Sequence, residues 1–314
     1  MKVLVTGANG FIGSALCTAI CHHGDSLRMA LRHPYPNGPS SDTVRIDAVG
    51  PNTAWNQALQ GRDVVIHLAA RAHVMSEHAS DPLAAYRSVN TDGTLHLARQ
   101  AAAAGVKRFV FISSVKVHGE ATAPGQAFQV NGALYPQDPY GTSKYEAEQG
   151  LFKIAQETGM EVTTIRPPLV YGPGVKANFA ALLKAVSHRQ ILPLGAIHNL
   201  RSLVAVDNLV DFIRTCMVHP AAANQTFLVS DGEDISTTDL VRRMAQSMGL
   251  PAHLLPIPAW MLITGATLLG KRAAAQRLCG NLQVDITKAR SLLGWTPPVS
   301  VDEGLRRAVA SYRP

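Results

Sequence analysis

A tyrosine and a lysine stand four residues apart in the segment DPYGTSKYEAE, as Tyr140 and Lys144. Pro139 precedes the tyrosine, and because proline suits the first turn of a helix, the segment predicts a helix start. Side chains four residues apart share one helix face, so the phenol and the ammonium should lie close together. A nearby positive charge favours the phenolate. We therefore expect Tyr140 to act as an acid–base group whose pKa Lys144 lowers.

Three glycines, Gly7, Gly10 and Gly13, lie where the apolar run KVLVTG meets a second apolar stretch. The first permits a tight turn, the second lets the backbone approach a pyrophosphate, and the third lets helix and strand pack closely. The N-terminus of the following helix adds free N–H groups and the positive end of its dipole. Placed between a strand and a helix, the triad predicts a dinucleotide-binding turn.

The next apolar run ends near Arg32, which stands 19 positions after Gly13. NAD-binding units usually carry Asp or Glu about 20 residues after the glycine turn, where the carboxylate binds the ribose hydroxyls. A guanidinium pairs instead with a 2′-phosphate, so the sequence favours NADP(H), with NAD(H) as the alternative. Asp47, in TVRIDAV, can accept a hydrogen bond from the adenine amino group.

A further apolar run, KRFVFISS, ends in Ser113 and Ser114. Parallel sheets bind ligands at the carboxyl ends of their strands. We therefore expect the serines, the glycine turn and the start of the Tyr140 helix to meet at one edge of a sheet.

The elements that must position these residues alternate through the first half of the chain. Short β-branched runs read KVLVTG, SLRMALR, TVRIDAV, DVVIHLA, KRFVFISS and EVTTIRP, and helices are expected from about Phe11 to His23, around Leu83 to Ala104 and from Tyr140. This alternation predicts an α/β fold, a Rossmann-type doubly wound parallel sheet with helices on both faces.

The alternation weakens after Arg166, where Pro, Gly and Asn gather in RPPLVYGPGVKANF. One more strand is predicted in NQTFLVSDG, and residues 237–314 are mostly helical. We expect a smaller, mostly helical substrate domain interleaved with the sheet domain. The predicted sheet domain comprises residues 1–170 and 203–232, and the substrate domain comprises residues 171–202 and 233–314.

The composition is that of a compact globular protein, with 46% hydrophobic and 16% charged residues among 314. The net charge of +7 suits an anionic ligand, but the basic residues are scattered and only 6% of residues are aromatic, so nucleic acid is not an expected partner. Four cysteines without metal-ligand spacing, and a first strand with no signal segment before it, predict a cytoplasmic protein without a metal site.

One long uncharged segment, residues 254–270, reads LLPIPAWMLITGATLLG. A membrane span needs about 20 apolar residues, and this segment is shorter and holds two prolines. We expect no transmembrane span but a helix packed over a domain, with membrane-surface contact as the alternative.

Several segments together resemble the extended short-chain dehydrogenases/reductases, in the branch of the NAD-dependent sugar-nucleotide epimerases and dehydratases. They are TGANGFIG, HLAA, SSVKVHG, RPPLVYGPG, RSLVAVDNLVD and DITKARSLLGW, together with the Tyr140–Lys144 pair. The resemblance implies a nucleotide-sugar substrate and, by analogy, a homodimer. It also implies that Tyr140 exchanges the proton of a sugar hydroxyl, that Ser114 binds the same oxygen, with Ser113 as the alternative, and that Lys144 holds the nicotinamide ribose.

The resemblance assigns further residues to the two ligands. On the cofactor side these are Gly7, Gly10, Phe11, Ile12, Gly13, Arg32, Asp47, Ala48, Leu68, Ala69, Ala70, Asn90, Ser113, Tyr140, Lys144 and Pro167. On the substrate side they are Arg71, Ser114, Tyr140, Asn178 and Arg201, the last on the diphosphate. His73 is a further candidate, although an ordinary loop histidine is the simpler interpretation.

The residues after Ser114 reduce the number of candidate reactions. Dehydratases of this branch carry an Asp-Glu pair there, whereas this chain has Val115 and Lys116, so dehydration is not expected. Epimerases and 4-ketoreductases need only the tyrosine, the lysine, the serine and the cofactor. The chain also departs from the epimerases at Leu169, where they carry Asn, and at His118, where they carry Tyr.

Three hypotheses follow for the function. The segments after Arg166 most resemble bacterial polysaccharide-pathway enzymes, as in lipopolysaccharide O-antigen biosynthesis, which reduce UDP-4-keto-6-deoxy-N-acetylhexosamines. Arg32 agrees with NADPH as the reductant, so the first hypothesis is such a 4-ketoreductase. The second is a UDP-hexose 4-epimerase with tightly bound NAD. The third is a non-catalytic NADP-sensing protein, which the Tyr140–Lys144 pair disfavours.

Overall fold

The structure is a computed structural model that describes residues 1–35, 38–39, 42–72, 80–270 and 272–312. Strands in this part of the chain are β1 (Lys2–Thr6), β2 (Ser26–Leu31), β3 (Asp42–Arg45), β4 (Val64–His67), β5 (Arg108–Ile112), β6 (Glu161–Arg166), β7 (Leu169–Tyr171), β8 (Arg201–Ala205), β9 (Gln225–Leu228) and β10 (Asp234–Ile235). The α-helices are α1 (Phe11–His22), α2 (Asn56–Leu59), α3 (Pro82–Tyr86), α4 (Gly93–Ala103), α5 (Pro139–Thr158), α6 (Ala177–Ser187), α7 (Val206–Val218), α8 (Thr237–Ser247), α9 (Ala259–Leu268), α10 (Arg272–Cys279), α11 (Thr287–Leu293) and α12 (Val301–Ala310).

A seven-stranded parallel sheet forms the centre, in the order β3-β2-β1-β4-β5-β6-β9. In its middle, Val5 of β1 pairs with Met29 of β2 on one side and with Ile66 of β4 on the other. Each of the six strands expected in the first half joins this sheet, and so does the later strand in NQTFLVSDG. The prediction of a doubly wound parallel sheet is confirmed.

Helices cover the sheet on both faces, each over its own apolar core. On one face, Leu16 of α1 and Phe212 of α7 are fully buried against the sheet. On the other, Trp55, Leu97 of α4 and Leu151 of α5 are equally buried. Burial on both faces explains why the strands read as continuous apolar runs rather than as alternating patterns.

A second, three-stranded sheet follows where the alternation weakens. β8 pairs with β7 in parallel and with β10 antiparallel. Its core includes Tyr171, Phe179 and Leu305, and the Tyr171 hydroxyl donates to Asp231, 2.7 Å away. The domain boundaries expected from the sequence stay a prediction.

The long helix expected around Leu83 to Ala104 is not uniform. α3 runs into a π-helical turn, Arg87–Asp92, which runs into α4. Such turns are rare and occur often at functional sites. The wider turn carries the fully buried Asn90, and α4 then begins at Gly93, where a Cβ would lie 3.0 Å from the backbone nitrogen of Gly50.

Helix α5 has well-defined ends. Asp138 caps its start by accepting a hydrogen bond from the Gly141 N–H at 2.6 Å, and Pro139 is its first residue. It ends at Gly159, which has a left-handed φ of +74°. Halfway along its 20 residues, a Cβ on Gly150 would lie 2.5 Å from the Leu95 side chain of α4, so the two helices are in close contact.

Helix α9 lies within the uncharged segment 254–270, at the place of the expected helix. Ala259 and Leu262 pack against the core of the three-stranded sheet, in agreement with a helix packed over a domain. No residue of α9 is buried. Its outward side is apolar and exposed.

Candidate active site

The turn between β1 and α1 has the geometry that its glycines predict. Gly7 has φ +70°, and a Cβ there would lie 2.7 Å from the Ala69 nitrogen. A Cβ on Gly13 would lie 2.1 Å from the Gly7 carbonyl oxygen, so helix and turn touch without room for a side chain. Gly10 caps α1 without a side-chain hydrogen bond, which leaves the first-turn N–H groups at Phe11 and Ile12 without a side-chain or intrahelical acceptor.

The end of β4 is tied directly to the end of β1. The backbone N–H of Ala69 donates to the Thr6 hydroxyl at 3.3 Å, and the N–H of Leu68 donates to the Thr6 carbonyl at 3.3 Å. Leu68, Ala69 and Ala70 are only partly buried, so the backbone after β4 borders solvent beside the glycine turn. The predicted cofactor residues of the two strands are thus adjacent.

A neutral histidine lies beneath this junction. His67 is fully buried, 2.7 Å from the Thr6 hydroxyl and 3.0 Å from the Thr94 hydroxyl of α4. Burial, with a contribution from Lys144, lowers the pKa of His67 to about 3. The ring is therefore uncharged at neutral pH and links β1, β4 and α4 by hydrogen bonds.

Asn90 anchors the chain that leaves β4. Its side-chain oxygen accepts from the Arg71 N–H at 2.8 Å, and its amide nitrogen donates to the Arg71 carbonyl at 3.1 Å and to the Ser143 hydroxyl at 3.0 Å. These bonds fix the backbone at Arg71 against α5. Asn90 acts on the site through Arg71 and α5, and its predicted cofactor contact stays a prediction.

The carboxyl edge of the sheet ends, beyond β2 and β3, at Arg32, Asp47 and Ala48. Arg32 follows the last residue of β2, while Asp47 and Ala48 follow the neighbouring strand β3, and all three are exposed. Within the described ranges no hydrogen bond or ion pair occupies the Arg32 guanidinium. Nearby, the hydroxyls of Ser14 and Tyr35 are 2.7 Å apart, which ties the segment after β2 to α1.

Lys144 is enclosed by the protein. Its side chain is only 1% exposed, and its ammonium donates to the Ile112 carbonyl at the end of β5, 2.8 Å away. The same nitrogen lies 4.4 Å from the centre of the Phe111 ring. Burial lowers the pKa of Lys144 to about 7, although the Glu148 carboxylate opposes the change. The ammonium is therefore easier to deprotonate than that of an exposed lysine.

Tyr140 is half-buried, with its ring centre 6.0 Å from the Lys144 nitrogen. Burial raises the pKa of the Tyr140 phenol above its ordinary value, the charge of Asp138 adds to the rise, and the polar Ser114 side chain opposes it. The expected lowering of this pKa by Lys144 is wrong for the protein groups alone. The main reason is burial of the phenol, and in addition Lys144 directs its ammonium to Ile112 and Phe111.

The two serines at the end of β5 differ in environment. Ser114 is partly exposed and caps a 3-10 turn, Val115–Val117, by accepting from the Lys116 N–H at 3.2 Å. The Ser113 side chain is 2% exposed, and its hydroxyl has no hydrogen-bond partner among the described residues. A buried hydroxyl without a partner is rare, which marks Ser113 as a position with an unused polar contact. Ser114 is the serine whose side chain affects the pKa of Tyr140.

The positions after Ser114 hold no acid pair. Val115 is buried, and the Lys116 ammonium forms ion pairs with Asp138 and, at 2.9 Å, with Glu120. His118 is buried as well and accepts a hydrogen bond from Arg166 at 2.9 Å. Burial, aided by the Arg166 charge, lowers the pKa of His118 to about 4. This histidine is therefore a neutral core residue.

Tyr86 was not predicted from the sequence, yet it borders the site. Its ring meets the Tyr140 ring edge-on, with centres 6.2 Å apart. The Arg71 guanidinium lies 5.3 Å from the centre of the Tyr86 ring. Tyr86 therefore connects a predicted substrate residue to the predicted catalytic tyrosine. No motif signals this role, because it depends on how α3 and the π-helical turn bring Tyr86 to α5. His73 lies outside the described residues.

The remaining predicted substrate residues lie further along the chain. Asn178 is exposed near the start of α6. Arg201 begins β8, and its Nη1 donates to the carbonyls of Arg277 and Gly280, at 2.8 and 3.0 Å, where α10 ends. Part of the Arg201 guanidinium therefore fixes α10, so its contact with a diphosphate stays a prediction for the nitrogens that remain.

These features fit a bound nicotinamide dinucleotide. The glycine turn leaves no room for side chains exactly where backbone and pyrophosphate would meet, and Ser113 offers an unused hydroxyl. Pro167 continues the same edge, because its carbonyl accepts from the Val115 N–H at 3.0 Å. The structure thus brings the glycine turn, the serines and the Tyr140–Lys144 pair to the carboxyl edge of one sheet.

Comparison with known proteins agrees with this geometry. The sequence pattern of the NAD dependent epimerase/dehydratase family matches residues 3–230. A UDP-glucose 4-epimerase of Vibrio cholerae is 45% identical over 99% of this chain and 95% of its own length. The N-acetyl-alpha-D-glucosaminyl-diphospho-ditrans,octacis-undecaprenol 4-epimerase of Escherichia coli O157:H7 is 31% identical over 98% of this chain and 94% of its own.

A solved structure extends the likeness to the fold. UDP-glucuronic acid 4-epimerase from Bacillus cereus, in complex with NAD, superposes with a TM-score of 0.78 over 99% of this chain and 96% of its own. At 22% identity this similarity concerns the fold alone.

Proposed function

The chain belongs to the NAD dependent epimerase/dehydratase family, and on that premise we propose that it transfers hydride at C4 of a UDP-sugar. The observation that carries the proposal is that Tyr140 and Lys144, whose ammonium donates to the Ile112 carbonyl at the end of β5, lie at the sheet edge that also holds the glycine turn. The two relatives described above are both named as 4-epimerases of diphosphate-linked sugars. What they share is a sugar on a diphosphate, which the predicted role of Arg201 matches.

The residues that would hold the cofactor follow the sheet edge from one end to the other. Arg32, Asp47 and Ala48 would bind the adenosine half, and the turn from Gly7 to Gly13 would bind the pyrophosphate. The nicotinamide half would lie against Leu68, Ala69, Ala70, Asn90, Ser113, Tyr140, Lys144 and Pro167. When bound, this group supplies the acceptor and donor of the hydride at the sugar carbon.

The chain's own residues would handle the proton. A phenol with a raised pKa is a proton donor at neutral pH, so Tyr140 gives its proton to the C4 oxygen when a ketone is reduced. In the opposite direction the base must be the Tyr140 phenolate, whose oxygen takes the proton of the 4-hydroxyl; the positive nicotinamide ring of the oxidised cofactor would favour this phenolate. Ser114 holds that oxygen by a second hydrogen bond, while Arg71, Asn178 and Arg201 would bind the rest of the substrate.

The first candidate reaction is 4-epimerisation. It needs removal and return of hydride at one carbon, with the proton carried by Tyr140, and it needs no further acid or base. With Val115 and a salt-bridged Lys116 after Ser114, the two positions where dehydratases of this branch carry their Asp-Glu pair hold no carboxyl group. The 45% identity with a UDP-glucose 4-epimerase supports this candidate.

The second candidate is reduction of a UDP-4-keto-6-deoxy-N-acetylhexosamine, in the biosynthesis of a bacterial surface polysaccharide. The exposed Arg32 at the end of β2 supports it, because a guanidinium without a partner among the described residues can bind the 2′-phosphate of NADPH. Net reduction consumes a reductant in every turnover, whereas epimerisation does not. A homodimer in the cytoplasm remains part of both proposals.

Two parallel incubations separate the candidates. An epimerase converts UDP-glucose or UDP-N-acetylglucosamine into its C4 epimer without added reductant, as read by proton NMR. A reductase consumes NADPH only with the 4-keto sugar, as read by absorbance. In either case Tyr140→Phe should abolish turnover while nucleotide binding persists. Turnover by Tyr140→Phe at the wild-type rate, or no reaction with either substrate class, would overturn the proposal.

A further inference from the structure

Large apolar side chains are exposed together around α9. The described residues expose thirteen such side chains, and six of them fall between residues 255 and 278. Trp260 is 68% exposed, Leu268 84% and Leu269 75%. The set, called the α9 patch from here on, comprises Leu255, Trp260, Met261, Leu268, Leu269 and Leu278. Concentrated apolar exposure of this kind marks an interaction surface.

The patch is presented outward by a helix that rests on the protein. Ala259 and Leu262 contact the core of the three-stranded sheet, whereas Trp260 and Leu268, about two turns apart, lie on the exposed side. α9 has 10 residues, so it is about 15 Å long, half of what a bilayer span needs. In the described ranges, no helix is both long and apolar enough to cross a membrane. The patch can therefore lie on a membrane surface but not pass through it.

The segment that carries most of the patch has no acidic residue. The sequence holds no Asp or Glu from residue 240 to residue 284, while Arg272 and Arg277 are exposed on α10, which packs against α9. Apolar helices with neighbouring basic residues bind anionic lipid surfaces, and tryptophan is enriched at the boundary between headgroups and acyl chains. In a twofold contact between copies the patch would meet itself, and the exposed Arg272 of each copy would approach a segment that holds no Asp or Glu.

We propose that the α9 patch docks the protein on the surface of an anionic lipid bilayer. Trp260, Leu268 and Leu269 enter the boundary region, and Arg272 contacts the headgroups. α10 is held at its C-terminal carbonyls by Arg201, so docking fixes the orientation of β8 relative to the bilayer. The inference goes beyond the proposed function and does not depend on which sugar reacts.

Flotation with vesicles tests the proposal on the full-length protein. Wild type should float with vesicles of phosphatidylcholine and phosphatidylglycerol at least tenfold more than with phosphatidylcholine alone. The triple variant Trp260→Ser/Leu268→Ser/Leu269→Ser should lose at least tenfold of this binding. The control variant Tyr135→Ser/Val218→Ser removes exposed apolar side chains elsewhere, 71% and 58% exposed, and should float like wild type.

Fluorescence gives an independent readout, because Trp260 is exposed while the other two tryptophans, Trp55 and Trp295, are buried. Wild-type emission should shift to shorter wavelength on addition of the anionic vesicles. Turnover of a soluble substrate by the triple variant should stay within twofold of wild type, which separates this test from that of the proposed function. Failure of wild type to float, equal flotation on both lipids, or loss of a stable dimer in the triple variant by sedimentation would each overturn the proposal.

Discussion

Replacing Lys144 by methionine should stabilise the fold while abolishing turnover. Burial lowers the pKa of Lys144 from 10.5 to about 7, so the charged form costs the folded state about 5 kcal/mol at 1.36 kcal/mol per unit. Methionine fills a similar volume without a charge, but it leaves the Ile112 carbonyl without its donor, at a cost of about 1–3 kcal/mol. The variant should therefore gain about 2–4 kcal/mol in free energy of unfolding at neutral pH or below.

The pH dependence of this gain has a defined sign. Between about pH 7 and 10.5 the unfolded chain keeps the Lys144 proton and the folded protein has lost it. Wild-type stability therefore rises with pH in this window, by about 1.4 kcal/mol per unit from this group. Below the folded pKa both states are protonated and the contribution is flat. The advantage of Lys144→Met should be greatest below pH 7 and shrink as the pH increases.

Urea unfolding of the nucleotide-free protein, from about pH 6 to about pH 9, measures both quantities. Lys153→Met is a matched control on the same helix, because the Lys153 side chain is 76% exposed and its ion pair with Glu157 spans 3.8 Å. It should change stability by less than about 0.5 kcal/mol at every pH. If Lys144→Met is less stable than wild type, or keeps the wild-type pH slope, burial of the ammonium does not destabilise the folded protein as inferred.

Three further changes probe the candidate site. Tyr140→Phe should leave nucleotide binding within twofold and lower kcat by about 10²–10⁴, as measured by titration and by turnover. Arg32→Asp should move the preference from NADPH towards NADH, while Arg99→Asp, on the exposed side of α4, should not; an unchanged ratio of the two Kd values contradicts contact with the 2′-phosphate. Gly13→Ala should cost more than about 2 kcal/mol in urea unfolding, because its Cβ would lie 2.1 Å from a backbone carbonyl, whereas Gly265→Ala meets nothing within 4 Å and should be harmless.

The sheet and the convergence of the main site residues could be predicted because each motif is local in the sequence and parallel strands end at one edge. Apolar β-branched runs fix the strands, and the glycine turn is complete within seven residues, Gly7 to Gly13. Tyr140 and Lys144 are positioned by one helix whose start Pro139 signals. Since parallel strands end at one edge, Ser114 could be placed near them without knowledge of packing.

What could not be predicted depends on contacts between distant parts of the chain. Tyr86 reaches Tyr140 because α3, the π-helical turn and α5 pack together, and its sequence carries no motif. The direction of the Tyr140 pKa shift depends on burial and on Asp138, which spacing does not reveal. The sequence around Arg201 does not show that its guanidinium is already hydrogen-bonded, because the carbonyls that it binds belong to residues more than seventy positions later.

Helix α5 joins the catalytic edge to the α4–α5 contact in one continuous helix. Its 20 residues extend about 30 Å, with Tyr140 in the first turn and Gly150, against Leu95, at the middle. A side chain at that midpoint would first have to displace the end of the Leu95 side chain, which lies 2.5 Å from where its Cβ would stand. Because the phenol sits on the same helix, the fit between α4 and α5 bears on its position although no ligand touches that contact.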